Sequence, residues 1–341
     1  GTTGDPKPIV LTHKNLMCAA VTEQRHHQQA PGDNFILLPP LYHTGAKMHW
    51  FGSLITGGRA TILNGISPHN IFKAVHDERG TIVWLLVPWA LDILEAMDRG
   101  ELRKDDYDLS CWRLMHIGAQ PVPSSLVRRW KTYFPDMQYD TNYGLSESTG
   151  PGCVHLGIGN EAKVEAIGKA GFNWEARIVD SKGEKVSQGE VGELLVRGNG
   201  VMKEYYKNPP ETAKTIRNGW LYTGDMARMD EEGFIYLVDR KKDVIITGGE
   251  NIFPVEIEDM LHNHPKVRDA GVIGIADERL GEIAAAVIEA NPGEELTEKE
   301  INAFCEQNLP RFKRPRRIIF DKVPRNPTGK IEKPKLREKY N

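Results

Sequence analysis

Between Ile9 and about Pro151, short apolar runs alternate with stretches of helical period. FILLPPL (35–41), TIVWLLVP (81–88) and LMHIGA (114–119) are near-continuous apolar runs ending at Pro or Gly. That is how strands buried on both faces read. PSSLVRRWKTYF (123–134) has helical spacing behind a serine that predicts an N-cap. The alternation predicts an α/β layer built on a mostly parallel sheet. From about Lys163 to Val238 the texture changes: EARIVD, GELLVRG and GFIYLVD sit between Gly and Asp turns, the pattern of short antiparallel strands. Beyond Asp239 a helix is predicted from Pro254, with Ile257, Leu261 and His264 on one stripe. VRDAGVIGIAD, EIAAAVIEA, a helix capped by Thr297 and the strand RRIIFD follow. The pattern divides the chain into 1–162, the remainder of a large α/β domain; 163–239, an antiparallel β subdomain of it; and 240–341, a compact α+β domain.

Composition changes this picture little. The 341 residues carry a net charge of −3 with 27% charged residues, which gives no footing for bulk nucleic-acid or membrane-surface binding. No apolar run approaches the ~20 residues of a membrane span. Cys18, Cys111, Cys153 and Cys305 are scattered, with no CxxC and no Cys/His ligand spacing. They read as reduced thiols, neither a disulfide framework nor a zinc site, and a cytoplasmic protein is expected. The chain opens inside a glycine-rich motif, so natural sequence upstream of Gly1 is expected.

Several short motifs carry candidate chemistry. GTTGDPK (1–7) offers glycine-freed N–H groups, the Thr2 and Thr3 hydroxyls and Lys7, a set suited to phosphate oxygens. It lacks Walker A spacing, and a surface turn would read the same way. In Asn142-Tyr143-Gly144-Leu145-Ser146-Glu147, a tyrosine face suits a purine and a carboxylate beside hydroxyls suits Mg²⁺; a strand-end turn with a solvated Glu is the plainer reading. Asp225 in YTGD and Arg240 at the start of a basic strand end suit a ribose and a nearby phosphate, or a simple surface ion pair. Lys330, on the glycine hinge of PTGK, suits a developing phosphoryl transition state, although the tail holds many lysines. The basic cluster RFKRPRR (311–317) reads first as a solvated face.

The order of these pieces resembles the adenylate-forming superfamily, which contains acyl- and aryl-CoA synthetases, luciferase and the adenylation domains of peptide synthetases. GTTGDPK is similar to the second half of that family's phosphate loop, with Pro8 in place of its closing glycine. PLYHTGA (40–46), GAQP (118–121), YGLSE (143–147), YTGD (222–225), DRKKD (239–243), GGENIFPVEIE (248–258) and PRNPTGKI (324–331) follow in the family's order, with Ser146 replacing a threonine. The resemblance extends over essentially the whole chain, leaving out the family's region upstream of the loop.

The resemblance implies an AMP-forming acyl-CoA synthetase. A fatty or aryl carboxylate attacks ATP·Mg²⁺ to give an acyl-adenylate and pyrophosphate, and coenzyme A then takes the acyl group, releasing AMP. It implies that Thr2, Thr3 and Lys7 hold the β- and γ-phosphates, Ser146 the α-phosphate and Glu147 the Mg²⁺. Gly118, Ala119, Gln120, Asn142, Tyr143 and Gly144 form the adenine side, Asp225 and Arg240 bind ribose, and Lys330 is the catalytic lysine. His43 lies near the acyl carboxylate, in a pocket shared with Val87, Trp89, Gly118, Ala119 and Gly150. Lys242 is the hinge about which the small domain turns, bringing in the loop Gly248, Gly249, Glu250 and Asn251 for thioester formation. The expected partners are a small carboxylic acid, ATP and CoA, with no nucleic acid and no membrane span; a homodimer is left open. The rivals are an adenylation domain that loads a carrier protein and a non-catalytic adenylate-binding relative.

Overall fold

The computed structural model describes residues 7–118, 122–156, 160–325 and 331–341. The elements run β1 (Ile9–Val10), α1 (His13–His26), β2 (Asn34–Leu37), α2 (Thr44–Thr56), β3 (Arg59–Ile62), α3 (Pro68–Glu78), β4 (Ile82–Leu86), α4 (Val87–Asp98), β5 (Leu114–Gly118), α5 (Ser124–Tyr133), β6 (Gln138–Leu145) and β7 (Gly150–Leu156). Next come β8 (Lys169–Ala170), β9 (Trp174–Val179), β10 (Gly192–Gly198), β11 (Glu204–Tyr205), α6 (Pro209–Thr215), β12 (Ile216–Arg217), β13 (Trp220–Met229) and β14 (Ile235–Arg240). The chain ends with β15 (Ile245–Thr247), β16 (Glu250–Ile252), α7 (Pro254–His262), β17 (Val267–Asp277), β18 (Gly281–Ala290), α8 (Glu298–Asn308), β19 (Arg317–Phe320) and α9 (Lys333–Tyr340).

Two compact units result. One comprises Lys7–Thr223 and Arg228–Leu237; the other comprises Gly224–Ala227 and Val238–Asn341. The larger unit is organised on a seven-stranded sheet of order β3-β2-β4-β5-β6-β7-β8. Strands β2 to β6 pair in parallel, and β7 and β8 add antiparallel edges. The predicted parallel layer is therefore present, with an antiparallel flank. Every residue of β2 and β5 is buried, as central parallel strands require. The apolar run TIVWLLVP breaks earlier than its hydropathy predicts. The strand stops at Leu86, and Val87 and Pro88 open α4, because proline with its fixed φ suits the first helical turn. Likewise FILLPPL yields only β2, which ends before the prolines.

Other local expectations need adjusting. Pro123, not a serine, holds the N-cap position of α5, and no side chain caps it. Thr297 does cap α8, through a reciprocal capping box with Glu300. Helix α7 ends at His262, so Ile257 and Leu261 form its buried stripe and His264 falls just beyond it.

The antiparallel region forms the sheet β12-β13-β10-β9, with β14 pairing β13; EARIVD, GELLVRG and GFIYLVD lie in β9, β10 and β14. In the C-terminal unit β16-β15-β18-β17 form a sheet, to which β19 adds in parallel along β18. All four cysteines are free thiols. No helix among the described residues is long and apolar enough to cross a membrane.

Candidate active site

In an open parallel sheet, ligands collect at the carboxyl ends of the strands. Here β5 ends at Gly118, and the parallel neighbour β6 runs on through Asn142, Tyr143 and Gly144. A Cβ placed on Gly118 would lie 3.8 Å from both the Asn142 Oδ1 and Thr141 Oγ1 atoms, so this strand end stands directly beside Asn142. Tyr143 is largely buried and Gly144 exposed. Gly144 has a packing reason to be glycine: a Cβ there would stand 1.8 Å from the Gly150 carbonyl oxygen, where β6 and β7 close with an irregular register.

A short 3₁₀ turn, Ser146–Ser148, leads from β6 towards β7 and presents Ser146 exposed and Glu147 half-buried. The Ser148 hydroxyl fixes this turn by accepting from Leu145 N–H at 2.8 Å and donating to the Gly150 carbonyl at 2.6 Å. Glu147 is held twice: its carbonyl accepts from Met202 N–H at 2.7 Å, and its Oε1 accepts from the Tyr205 hydroxyl at 2.8 Å. Burial first, and then the Glu147 carboxylate, push the Tyr205 hydroxyl above its ordinary pKa, so it stays a protonated donor. Lys7 reaches the same place. Strand β1 pairs antiparallel with β11, and the Lys7 ammonium sits 5.4 Å over the Tyr205 ring while pairing with Glu211 at 2.5 Å. Lys7 and Glu147 thus converge on one tyrosine. The ring carries the Lys7 cation over its face and the Glu147 carboxylate at its hydroxyl.

His43 caps α2, with its Nδ1 accepting from Gly45 N–H at 3.2 Å. An accepting Nδ1 leaves the proton on Nε2, and burial lowers the His43 pKa, so the ring is a neutral donor through Nε2. Trp84, from β4, lies beside it with ring centroids 5.6 Å apart. Only glycine at position 45 permits this approach, because a Cβ there would come within 2.2 Å of the Trp84 ring. Of the residues assigned to the acyl pocket, Val87 is buried in the core cluster with Val83, Leu85 and Trp112, and Trp89 packs against that same cluster. Gly150, at φ 136°, abuts Met48 of α2, whose sulfur would meet an added Cβ at 2.5 Å.

In the C-terminal unit the Arg240 Nε contacts the Asp225 carboxylate at 2.8 Å, so the two residues assigned to ribose do meet. Asp239, in turn, accepts from Arg240 N–H at 2.6 Å and from Val255 N–H at 2.9 Å, tying this strand end to the first turn of α7. Lys242 lies on the turn of residues 241–243. Gly248 and Gly249, at φ 57° and 90°, form the two-residue turn of the β15–β16 hairpin. Glu250 and Asn251 therefore stand exposed on a strand, where the sequence reading placed a loop. Two positive φ angles in succession are what a two-residue hairpin of type I′ geometry demands. Thr2, Thr3, Ala119, Gln120 and Lys330 lie outside the described residues.

A family model described as AMP-binding enzyme matches residues 1–206, and one described as AMP-binding enzyme C-terminal domain matches residues 256–330. The chain belongs to the AMP-binding enzyme family. It is 36% identical over 337 residues to 4-coumarate–CoA ligase-like 9 of Arabidopsis thaliana, covering 97% of this chain and 59% of that protein. It is 35% identical over 345 residues to a feruloyl-CoA synthase of Amycolatopsis, covering all of this chain and 68% of the relative. Among solved structures, Bacillus subtilis o-succinylbenzoate CoA synthetase with its acyl-adenylate superposes with a TM-score of 0.87 at 28% identity, covering 98% of this chain and 67% of that one. The same synthetase with ATP and magnesium gives a TM-score of 0.86, also at 28% identity, covering 98% and 68%. The chain thus spans about three fifths to two thirds of the length of these family members.

Sequence reasoning missed Tyr205, Glu211 and Trp84. Nothing in the stretch KEYYKNPPET marks Tyr205 as the partner of Glu147. Trp84 reads as one more apolar residue of a buried strand.

Proposed function

We propose that the whole protein is an AMP-forming acid–CoA ligase. It converts a carboxylic acid and ATP into an acyl-adenylate and pyrophosphate, then passes the acyl group to coenzyme A with release of AMP. The observation that carries this reading is the convergence of Lys7 and Glu147 on Tyr205, beside parallel strand ends in a family of adenylate-forming enzymes. Lys7 would exchange its exposed partner Glu211 for β- or γ-phosphate oxygens, a small loss because exposed ion pairs are worth only ~0–1 kcal/mol. Glu147 offers a second carboxylate oxygen beyond the one Tyr205 engages, a hard donor that fits Mg²⁺. When bound, Mg²⁺ neutralises phosphate charge. Ser146 would contact the α-phosphate, and Gly118, Asn142, Tyr143 and Gly144 would form the adenine side.

In the C-terminal unit Asp225 and Arg240 would serve the ribose, Lys330 would bridge carboxylate and α-phosphate, and Lys242 would act as the pivot between half-reactions. His43 would donate from Nε2 to the acid's carboxylate, with Trp84 as the neighbouring apolar wall. The relatives named for coumarate, ferulate and succinylbenzoate support an aryl carboxylate as the first class to try, ahead of fatty acids.

The test is carboxylate-dependent ATP–pyrophosphate exchange by the full-length protein, across benzoates, cinnamates and fatty acids, followed by CoA addition. Exchange with one class and AMP release on adding CoA is the expected result. Acyl transfer only to a carrier protein would replace CoA ligation with carrier loading, and ATP binding without exchange would favour the non-catalytic reading. Lys330→Ala should abolish exchange yet leave thioester formation from supplied acyl-adenylate. Lys242→Pro should do the reverse.

A further inference from the structure

Behind the strand ends lies a feature the proposed chemistry does not use. Glu23, His26, His27, His49, His116 and Asp140 are all buried, and four of these six are imidazoles. They come from α1 and its C-terminal cap (Glu23, His26, His27), α2 (His49), β5 (His116) and β6 (Asp140). His116 stands in the middle of the otherwise apolar strand LMHIG, 0% exposed. A histidine buried in a core ordinarily answers to one hydrogen-bond partner. Here the rings answer to one another.

The hydrogen-bond arrangement is specific. Asp140 accepts from His27 Nδ1 at 2.7 Å and, through its other oxygen, from His116 Nδ1 at 2.6 Å. Both rings thereby spend Nδ1 on Asp140 and keep Nε2 for the rest of the cluster. This carboxylate–histidine pairing is the arrangement that orients imidazoles on a metal. His27 Nε2 lies 3.0 Å from Glu23 Oε2 and 3.4 Å from His49 Nδ1. Glu23 and His27 are four residues apart, at the end of α1, and so share a face. One ligand atom each from Glu23, His27, His49 and His116 falls within 4.8 Å of the others. In tetrahedral zinc sites with bonds of about 2.0–2.1 Å, ligand atoms stand about 3.3 Å apart, so the widest pairs of this set would draw in by up to about 1.5 Å on binding. Protein hydrogen bonds leave part of the set unaccounted for: His27 Nε2 can serve Glu23, but His49 Nε2 has no hydrogen-bond partner among the described residues.

We propose that Glu23, His27, His49 and His116 hold a structural divalent ion of the zinc class, with Asp140 as the outer carboxylate that orients His27 and His116. Three neutral nitrogens and one carboxylate oxygen complete a closed tetrahedral set, as structural rather than catalytic sites have. The ion's charge balances the two buried carboxylates. The site would pin α1 and α2 to the sheet directly behind Asn142, whose side-chain amide donates to the other oxygen of Glu23. Cys/His spacing gives no hint of such a site, because the ligands come from three elements and are joined only by the fold.

The full-length protein, purified in a chelator-containing buffer, should retain about one zinc per chain by elemental analysis. Cobalt substitution should give the intense visible bands of a tetrahedral Co²⁺ centre. His49→Phe preserves a ring stacked on Phe35, which lies 4.6 Å away, and should cut retained metal at least tenfold, as should His116→Gln. Exposed His13→Ala should leave metal content unchanged. Folded native protein that holds less than about a tenth of an equivalent and shows no tetrahedral Co²⁺ spectrum would overturn the proposal. Metal retained in full by folded His49→Phe would overturn this ligand set. Should the variants fail to fold, the native metal content and cobalt spectrum decide alone.

Discussion

The Tyr205 hydroxyl donates to the Glu147 carboxylate at 2.8 Å, joining residues 58 positions apart. The bond decides which face Glu147 shows. One carboxylate oxygen is occupied and the 3₁₀ turn is stiffened, so under the proposed role a cation brought to the other oxygen would meet a pre-set ligand. Tyr205→Phe keeps the ring under Lys7 and removes only the hydroxyl. A hydrogen bond to a charged group is worth about 1.5–3 kcal/mol. The Mg²⁺ concentration for half-maximal pyrophosphate exchange should therefore rise about tenfold or more. An unchanged Mg²⁺ titration curve would remove Glu147 from that role.

Asp225 and Arg240 meet at 2.8 Å, the carboxylate buried and the guanidinium partly exposed. The pair's interest lies in the ligand. If Asp225 binds the ribose diol, wild-type protein should prefer ATP over 2′,3′-dideoxy-ATP by about tenfold, the value of one or two hydrogen bonds. Asp225→Ala should erase that preference, with the melting temperature read alongside to separate lost ribose binding from the loss of a buried carboxylate. Competition binding with the two nucleotides reads both numbers.

Two glycines at the strand ends should respond oppositely to the same change. Gly144→Ala drives a Cβ into the Gly150 backbone, which cannot swing aside as a side chain can. A cost of about 3 kcal/mol or more is expected, at the upper end for overpacking, and visible in denaturant melts. Gly118→Ala meets only ordinary contacts at 3.8 Å, so stability should hold. Its methyl would instead stand beside Asn142, on the proposed adenine side. The Michaelis constant for nucleotide or acid should rise with the fold intact.

Legibility from sequence followed the range of the interactions. The parallel layer, the antiparallel region and the Thr297 cap are written in local periodicity, and an Asp225–Arg240 ion pair is one of the two readings their motifs offer. The end of β4 was misjudged because apolar residues continue through Val87 and Pro88, and only the proline's place in a helix's first turn separates strand from helix. The family resemblance implies a loop over Gly248, Gly249, Glu250 and Asn251, yet the two glycines close a hairpin and the next two residues stand on its second strand. Tyr205 and the buried histidines were invisible for a different reason. Their partners lie on other elements, and no spacing in the chain encodes the contact.

Acid should loosen the C-terminal unit through Asp269. Burial favours its neutral form, but Arg325, with two contacts at 2.7 Å, and His262 at 3.1 Å outweigh burial and hold its pKa well below the usual carboxylate range. A depressed folded-state pKa means stability that is present above the ordinary value of about 3.9 and lost as pH falls below it. Arg325→Met should move the acid-unfolding midpoint of this unit upward, by about one pH unit, with little change at neutral pH beyond the lost pair. Circular dichroism across an acid titration follows the shift. Coincident acid limbs for wild type and variant would assign the acid sensitivity elsewhere.

Lys333 and Glu258 pair at 2.9 Å, each less than a tenth exposed, and Glu258 Oε1 also accepts from Val272 N–H at 2.7 Å. Helix α9 begins at Lys333, so this buried pair fastens its first residue to α7, three positions after Lys330. Removing one member of such a pair leaves a charge in the interior, at a cost of about 3–5 kcal/mol, whereas replacing both with apolar groups of similar size is often near neutral. Glu258→Leu alone should therefore destabilise the unit strongly, and Glu258→Leu with Lys333→Met should restore most of the loss. The double variant then isolates the positional role, because it folds without the electrostatic tether. If anchoring α9 sets the approach of Lys330, the refolded double variant should show slower pyrophosphate exchange while thioester formation from supplied acyl-adenylate proceeds at the wild-type rate. Equal rates in both half-reactions would make the pair a matter of stability only.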